Sequence, residues 1–274
     1  MDNFILTNEN YYTADADMAF CSVSQYKDME GTFGIRGCER TAMMRIRGEY
    51  PLKSGTPLLV GGYVDAWVEG TLDKFKQDHP EMYKKDGTLK ADFVRADAII
   101  ERIQRDEMMK YYLGLDPYES QKQVIMTGEI AGVPWKIKID SLLPDTIVDL
   151  KVMANITDKK WIPDLGEFLD FVRYWGYDIQ GAVYQEIVYQ NTGKKLPFII
   201  AAVTKEEPEP DIELIEVDQV YLDEAMRIVR SNAPRIADIK KGIVEPTQCF
   251  TCPCCRKSKV LTGAIKLSQM INQK

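Results

Sequence analysis

Asp140 and Asp149 stand nine positions apart, and the second opens an acid–x–lysine triplet, Asp149-Leu150-Lys151. Ile137 and Ile139 alternate with Lys136, Lys138 and Asp140; Val148, Leu150 and Val152 alternate with Asp149 and Lys151. Period-two alternation marks half-buried strands, and Leu143-Pro144-Asp145-Thr146 supplies a turn between them. A hairpin symmetric about Pro144-Asp145 sets Asp140 opposite Asp149 and Ile139 opposite Leu150. Ile139 and Leu150 are then expected to face one core together, with both carboxylates and the Lys151 amine on the other side. Carboxylates facing each other across a ladder repel; a divalent cation between them reverses the sign. Mg²⁺ or Mn²⁺ suits such hard oxygen ligands. Either ion lowers the pKa of a bound water and neutralises charge on a phosphorane-like transition state. Lys151, on the same face, can hold the attacking water or stabilise developing charge. This is equipment for cutting a phosphodiester; the bland alternative is a solvated hairpin face.

The elements around the hairpin follow from local pattern. Short helical patterns run from Ser24 to Met29 and from Cys38 to Arg47. Residues 62–113 read as helical, with Tyr63, Ala66 and Trp67 at helical spacing and a loop at 79–87. Strands are expected at 122–129, 135–142 and 146–152, with Val124 and Met126 opposite Ile139 and Ile137. A helix over 164–191, broken near Gly166 or Gly176, comes next. The apolar run within 197–205 is a central strand. Strand 212–217, helix 220–241 and a cysteine-bearing tail from Pro246 complete the chain. The expected fold class is α/β, a mixed sheet of about five strands flanked by helices with a helical N-terminal extension. One domain over 1–274 is expected, divided into a helical part (1–115), an α/β catalytic core (116–245) and a cysteine-rich basic tail (246–274).

Together these features resemble the PD-(D/E)XK nuclease superfamily, whose core is restriction-endonuclease-like. Within it they resemble the RecB-like and RecE-like (exodeoxyribonuclease VIII-type) exonucleases of phages and prophages. The resemblance rests on Ile139-Asp140 with Val148-Asp149-Leu150-Lys151, on Gln180 and Tyr184 as a Q-x-x-x-Y signature, on Gly61-Gly62-Tyr63-Val64-Asp65, and on the cysteine order. It implies Asp140, Asp149 and the Leu150 carbonyl as metal ligands and Lys151 as the catalytic lysine. Asp65 replaces the family's metal-binding histidine, a departure that still offers an oxygen ligand. Gln180 and Tyr184, stacked on one helix face, are implied to contact DNA or orient the site. Glu129, by the strand register, is a candidate outer-shell acid.

Cys249-x-x-Cys252-x-Cys254-Cys255 sets four thiols within seven residues. The spacing suits an Fe–S cluster or zinc, and reduced thiols without metal remain open. The resemblance implies a [4Fe–4S] cluster held by Cys38, Cys249, Cys252 and Cys255. Cys21 reads as a buried thiol.

The 274 residues carry a net charge of −7 with one histidine, His79, expected in a surface loop. That leaves almost no material for Ser-His-Asp, Cys-His or HNH-type chemistry, and no G-x-x-x-x-G-K-[ST] phosphate loop occurs. From Ala225 onward, basic residues from Arg227 to Lys274 outnumber two acids, Asp238 and Glu245. A basic end on an acidic body fits a DNA partner. The aromatic set Phe168, Phe171, Tyr174, Trp175 and Tyr177 reads as core or lid, with Arg173 able to touch phosphate. No apolar run reaches a membrane span, and the N-terminus lacks a signal-peptide pattern, so a cytoplasmic location is expected. The resemblance implies a Mg²⁺- or Mn²⁺-dependent duplex exonuclease acting in phage-type recombination through a metal-activated water, with sequence-independent DNA binding. A single-strand annealing partner and homo-oligomeric assembly belong to that picture, although no residue here specifies them. A DNA-binding or scaffold protein with an idle site, and an endonuclease of the same superfamily, stand as alternatives.

Overall fold

The computed structural model describes residues 4–50, 55–261 and 263–267; Lys274 of the basic tail lies outside them. The chain opens with helices α1 (Ala14–Ala19), α2 (Val23–Glu30), α3 (Glu39–Ile46), α4 (Thr56–Val68), α5 (Leu72–Asp78), α6 (Ala91–Gln104) and α7 (Glu107–Tyr112). Local chemistry sets their limits. Ser22 caps α2 by accepting the Gln25 N–H, and Asp106 caps α7 by accepting the Met109 N–H. The second of these caps divides what reads in the sequence as one helix to Leu113. Helix α4 starts earlier than residue 62, because Pro57 fits the first turn, where its missing N–H is not needed.

Strands β1 (Gln121–Ile130), β2 (Val133–Leu142) and β3 (Ile147–Met153) form a meander. A small separate hairpin, β4 (Lys160–Ile162) and β5 (Glu167–Leu169), precedes α8 (Phe171–Trp175) and α9 (Tyr177–Thr192). Strands β6 (Phe198–Thr204) and β7 (Ile212–Glu216), then α10 (Gln219–Lys240) and α11 (Pro253–Lys257), complete the order. The main sheet runs β1-β2-β3-β6-β7, with β3 and β6 parallel and the other neighbours antiparallel. It is the five-stranded mixed sheet that the sequence predicts. β6 is buried along its whole length, as its apolar run requires of a central strand.

The β4–β5 hairpin corrects the expected helix over 164–191. Gly166 adopts a left-handed φ of 68°, Trp161 pairs with Phe168 across the strands, and Asp170 caps α8. A helix therefore begins only at Phe171. Gly176, at φ 67°, then hinges α8 to α9. Gly181 lets α9 lie close on β6: a Cβ there would sit 2.6 Å from the Phe198 ring.

The sheet is covered on both faces. Ile137, Ile139, Ile147, Phe198 and Ile200 belong to a core completed by α2, α3, α9 and α10. Val148, Leu150, Ala201 and Val203 belong to a second core completed by α4, α6 and α7. Ile139 and Leu150 thus sit in different cores, against the expectation that they share one. The reason lies in the ladder. The register is as expected, with Ser141 opposite Val148 and Leu142 opposite Ile147. Pairing then stops one step short of Asp140 and Asp149, while Gln123 on β1, at φ 50°, interrupts β1–β2 pairing beside Asp140. No described helix is long and apolar enough to cross a membrane.

Candidate active site and thiol centre

Where β2 leaves β3, a cavity of about 320 Å³ opens. Asp140, Asp149, Leu150 and Lys151 line it from the strands, Asp65 from α4, and Gln180 and Tyr184 from α9. α4 belongs to one face of the sheet and α9 to the other, so only the split between the strands lets their side chains meet.

The groups from the strands and α9 are fixed by polar contacts. The Leu150 N–H donates to Asp140 Oδ2 at 3.0 Å. Gln180 Nε2 donates to Asp149 Oδ1, and Lys151 Nζ lies 2.5 Å from Asp149 Oδ2. The Tyr184 hydroxyl donates to the Lys138 carbonyl at 2.9 Å. Within a strand, the N–H and C=O of one residue point toward the same neighbour. The Leu150 carbonyl therefore faces the gap that its N–H reaches into.

Electrostatics mark the cavity as overloaded with negative charge. Burial, reinforced by Asp149, pushes the Asp140 carboxyl up to about 7, against the pull of Lys151 and the Leu150 N–H. Burial and the charge of Asp140 hold Asp65 well above the usual carboxylate range. Burial opposes the Lys151 charge, yet Asp149 and Asp140 together raise its pKa. Asp149 is 3% exposed, and its Oδ2 has no donor besides the Lys151 ammonium. Three acids with one close ammonium are the environment a hard divalent cation would relieve.

Some predicted groups lie elsewhere. Glu129 is exposed near the far end of β1, opposite Pro134, with its backbone bound to Gln190, and it does not line the cavity. β1 is simply too long for its outer end to reach the split. Arg173 is held by Asp170 and packs over Tyr221. His79 meets Glu81 at the surface. Cys21 is buried, and burial pushes its thiol up to about 11.

Other residues of the cavity carry little signal in the sequence. Lys27, on α2, lines the cavity, and burial followed by the nearby Lys151 pushes its amine down to about 8. Glu69 follows Asp65 by one helical turn and adds to the negative field on both Asp65 and Asp140. The i, i+4 spacing of those two acids was the readable clue. Lys136, 2% exposed, also lines the cavity, but its ammonium is taken up by the Tyr11 carbonyl and Asp17.

The cysteines build a second site. The Sγ atoms of Cys38, Cys249, Cys252 and Cys255 all lie within 4.8 Å of one another. Among the described residues they are the group of three or more potential ligands drawn that close. Cys38 and Cys255 are 3.6 Å apart, and Cys252 and Cys38 3.9 Å. Cys252 caps α11, and Thr41 Oγ1 bonds Cys38 and Cys252. Burial works against thiolate at Cys249, but donors from Thr251 and the Cys252 amide bring it down to about 6. The Glu39 carboxylate, next to Cys38, takes Arg235 and both donors of Thr247, tying α3, α10 and the tail together.

No curated protein matches this chain. A crystal structure from Eubacterium rectale named "Putative exonuclease" is 54% identical, with TM-score 0.91 over 98% of each chain. A second structure, of SSO0001, is 13% identical with TM-score 0.29, over 80% of this chain and 93% of that one, a likeness too low to argue from. The family described as "PDDEXK-like domain of unknown function (DUF3799)" matches residues 22–258. With the strand aspartates, the lysine and the helix glutamine gathered at one split in the sheet, the chain belongs to this family of PDDEXK-like domains.

Proposed function

We propose that this chain is a Mg²⁺- or Mn²⁺-dependent deoxyribonuclease acting as an exonuclease on duplex DNA. The family description and the name of the 54% identical neighbour support a nuclease. The observation that carries the reading is the meeting of Asp140, Asp149, Lys151 and Gln180 in one cavity, with Asp65 arriving from the opposite face of the sheet.

Asp65, Asp140, Asp149 and the Leu150 carbonyl would hold the cation. When bound, it supplies Lewis acidity and lowers the pKa of a water. The chain's own groups do the rest. The Leu150 N–H and Gln180 fix the orientation of Asp140 and Asp149, so their free lone pairs point into the cavity. Lys151 keeps N–H donors to spare beside Asp149, to orient the attacking water and to meet charge on the phosphoryl oxygens. Tyr184 anchors α9 to β2 through the Lys138 carbonyl. Binding through phosphates makes recognition sequence-independent and salt-sensitive.

The thiol centre is read as a structural metal site joining the two ends of the chain. Tetrahedral zinc, with Zn–S about 2.3 Å, holds sulfurs about 3.8 Å apart, which fits the 3.6 and 3.9 Å separations. The cysteine order favours a [4Fe–4S] cluster by the resemblance. Metal content decides between them. A role in phage-type recombination, with an annealing protein as partner and a homo-oligomeric assembly, is the biological setting we infer.

The test uses end-labelled linear duplex and a covalently closed circle, each with Mg²⁺. Wild type is expected to release nucleotides from the linear DNA, leave the circle closed, and lose activity in EDTA and in Lys151→Ala. Nicking of the circle would make the chain an endonuclease. Absence of any Lys151-dependent cleavage would leave a DNA-binding protein with an idle site.

A further inference from the structure

Lys27 reaches the cavity from α2, a helix of the N-terminal part. Its Nζ donates to the Trp175 carbonyl at 3.1 Å and lies 5.3 Å from the Tyr177 ring centroid. Lys151 lies 5.1 Å from the same centroid. Tyr177 opens α9, one turn ahead of Gln180. The two centroid distances hold the amines at most about 10 Å apart.

Four lysines, Lys27, Lys136, Lys138 and Lys151, line the cavity, where ammonium groups repel one another, and their partners differ: Lys138 lies over the Tyr11 and Tyr12 rings and faces the charge of Glu69. Lys151 has Asp149 at 2.5 Å, and the neighbouring Lys136 has Asp17 at 2.7 Å. Lys27 has a neutral carbonyl and an aromatic face, and among the described residues it forms no ion pair. Asp149, Asp178 and Asp28 act on it only at longer range. A half-enclosed ammonium without a carboxylate is unfavourable by itself and becomes favourable once an anion enters. With one N–H used on Trp175, two remain. A compact ammonium of this kind takes a phosphate oxygen as a point charge. A strand lying across Lys151 brings its next phosphate within the span of the two amines.

We propose that Lys27 binds the substrate, holding the phosphate next to the scissile one while Lys151 serves the scissile phosphate. The proposal rests on the nuclease reading and deepens it, by adding a residue from the N-terminal helices to the substrate track. It also gives a reason for the Thr32 Oγ1 bond to the Tyr174 carbonyl and the Cys38 N–H bond to the Asp28 carbonyl, which brace both ends of the α2 exit.

The test pairs protein charge with DNA charge. Wild type, Lys27→Gln and Lys27→Arg are compared on duplex oligonucleotides carrying one neutral methylphosphonate at each position flanking the first cleaved bond. Cleavage with Mg²⁺ and fluorescence anisotropy with Ca²⁺ are both read. Lys27→Gln should weaken kcat/KM and binding about 10- to 100-fold, the scale of one charge-assisted contact. At one flanking position the methylphosphonate should weaken wild type to a similar degree and leave Lys27→Gln no worse. Lys27→Arg should restore the sensitivity. Equal methylphosphonate losses in wild type and Lys27→Gln at every position overturn the proposal, as does unchanged kcat/KM in Lys27→Gln. If wild type binds with the Lys27-dependent charge effect yet cleaves nothing, the nuclease reading fails and Lys27 stands. If neither cleavage nor charge-dependent binding occurs, both fall. A melting curve for Lys27→Gln matching wild type separates substrate binding from folding.

Discussion

Leu150 donates its backbone N–H to Asp140 Oδ2 at 3.0 Å, at the point where β2 and β3 cease to pair. A ladder hydrogen bond is replaced by a side-chain one, and the space freed becomes the cavity. The ladder ends early in order to make room between two strands that would otherwise be closed. Removing the acceptor leaves a buried N–H without a partner, so Asp140→Ala should be about 1–3 kcal/mol less stable than Asp140→Asn, both having shed the repelled carboxylate, and both should lose activity. Urea unfolding of Asp140→Ala against Asp140→Asn checks this, since the amide retains an acceptor for Leu150.

On the proposed mechanism, in which its charge is spent on the transition state, Lys151→Ala should lower kcat by about a hundred- to a thousandfold, with KM nearly unchanged. The measurement is steady-state release from end-labelled duplex. A KM effect of equal size would assign Lys151 to ground-state binding instead.

The raised pKa values of Asp140 and Asp65 dictate pH behaviour. Asp140 rises from an ordinary carboxylate value to about 7 in the native fold, and Asp65 shifts in the same direction. The native state therefore binds more protons than the unfolded chain between those values. Stability of the metal-free protein should fall as pH rises from about 4 to about 7. A cation competes with these protons, so its stabilising effect should grow over the same range. Melting with EDTA or Mg²⁺ at pH 5.5 and 8 checks both signs; a larger Mg²⁺ effect at pH 5.5 contradicts them.

Gln180→Ala frees Asp149 Oδ1 from its donor. A loosened ligand typically lowers metal affinity or activity about 10- to 100-fold. Mn²⁺ titration followed by activity should show the deficit, with partial recovery at high Mn²⁺.

Cys252→Ser should abolish metal binding at the proposed thiol centre and free the segment around α11, because the Cys252 Sγ lies with the other three thiols and also caps the helix. Elemental analysis of wild type should show one zinc or four irons per chain, and of the variant neither. Glu39→Ala, next to that centre, removes the acceptor of four hydrogen bonds from Arg235 and Thr247. A loss of stability is expected from leaving those donors without their acceptor, read by chemical denaturation.

What lay in the sequence was local. Alternation around Pro144-Asp145 set the hairpin register, the i, i+4 spacing put Gln180 and Tyr184 on one helix face, and the C-x-x-C run announced a thiol site. Each depends on backbone geometry within a few residues, which neighbouring side chains dictate. Tertiary packing decided the rest. Ile139 and Leu150 went to separate cores because β2–β3 pairing stops before they meet and helices cover both faces of the sheet, facts no strand pattern contains. Asp65, Lys27 and Cys38 reached their partners over long separations in the chain, through contacts set by how α2, α3 and α4 dock. Glu129, identical in pattern to a site acid, was carried away by the length of β1. The raised carboxyls follow from the same cause: burial and mutual repulsion exist only once the strands and helices close around one small space.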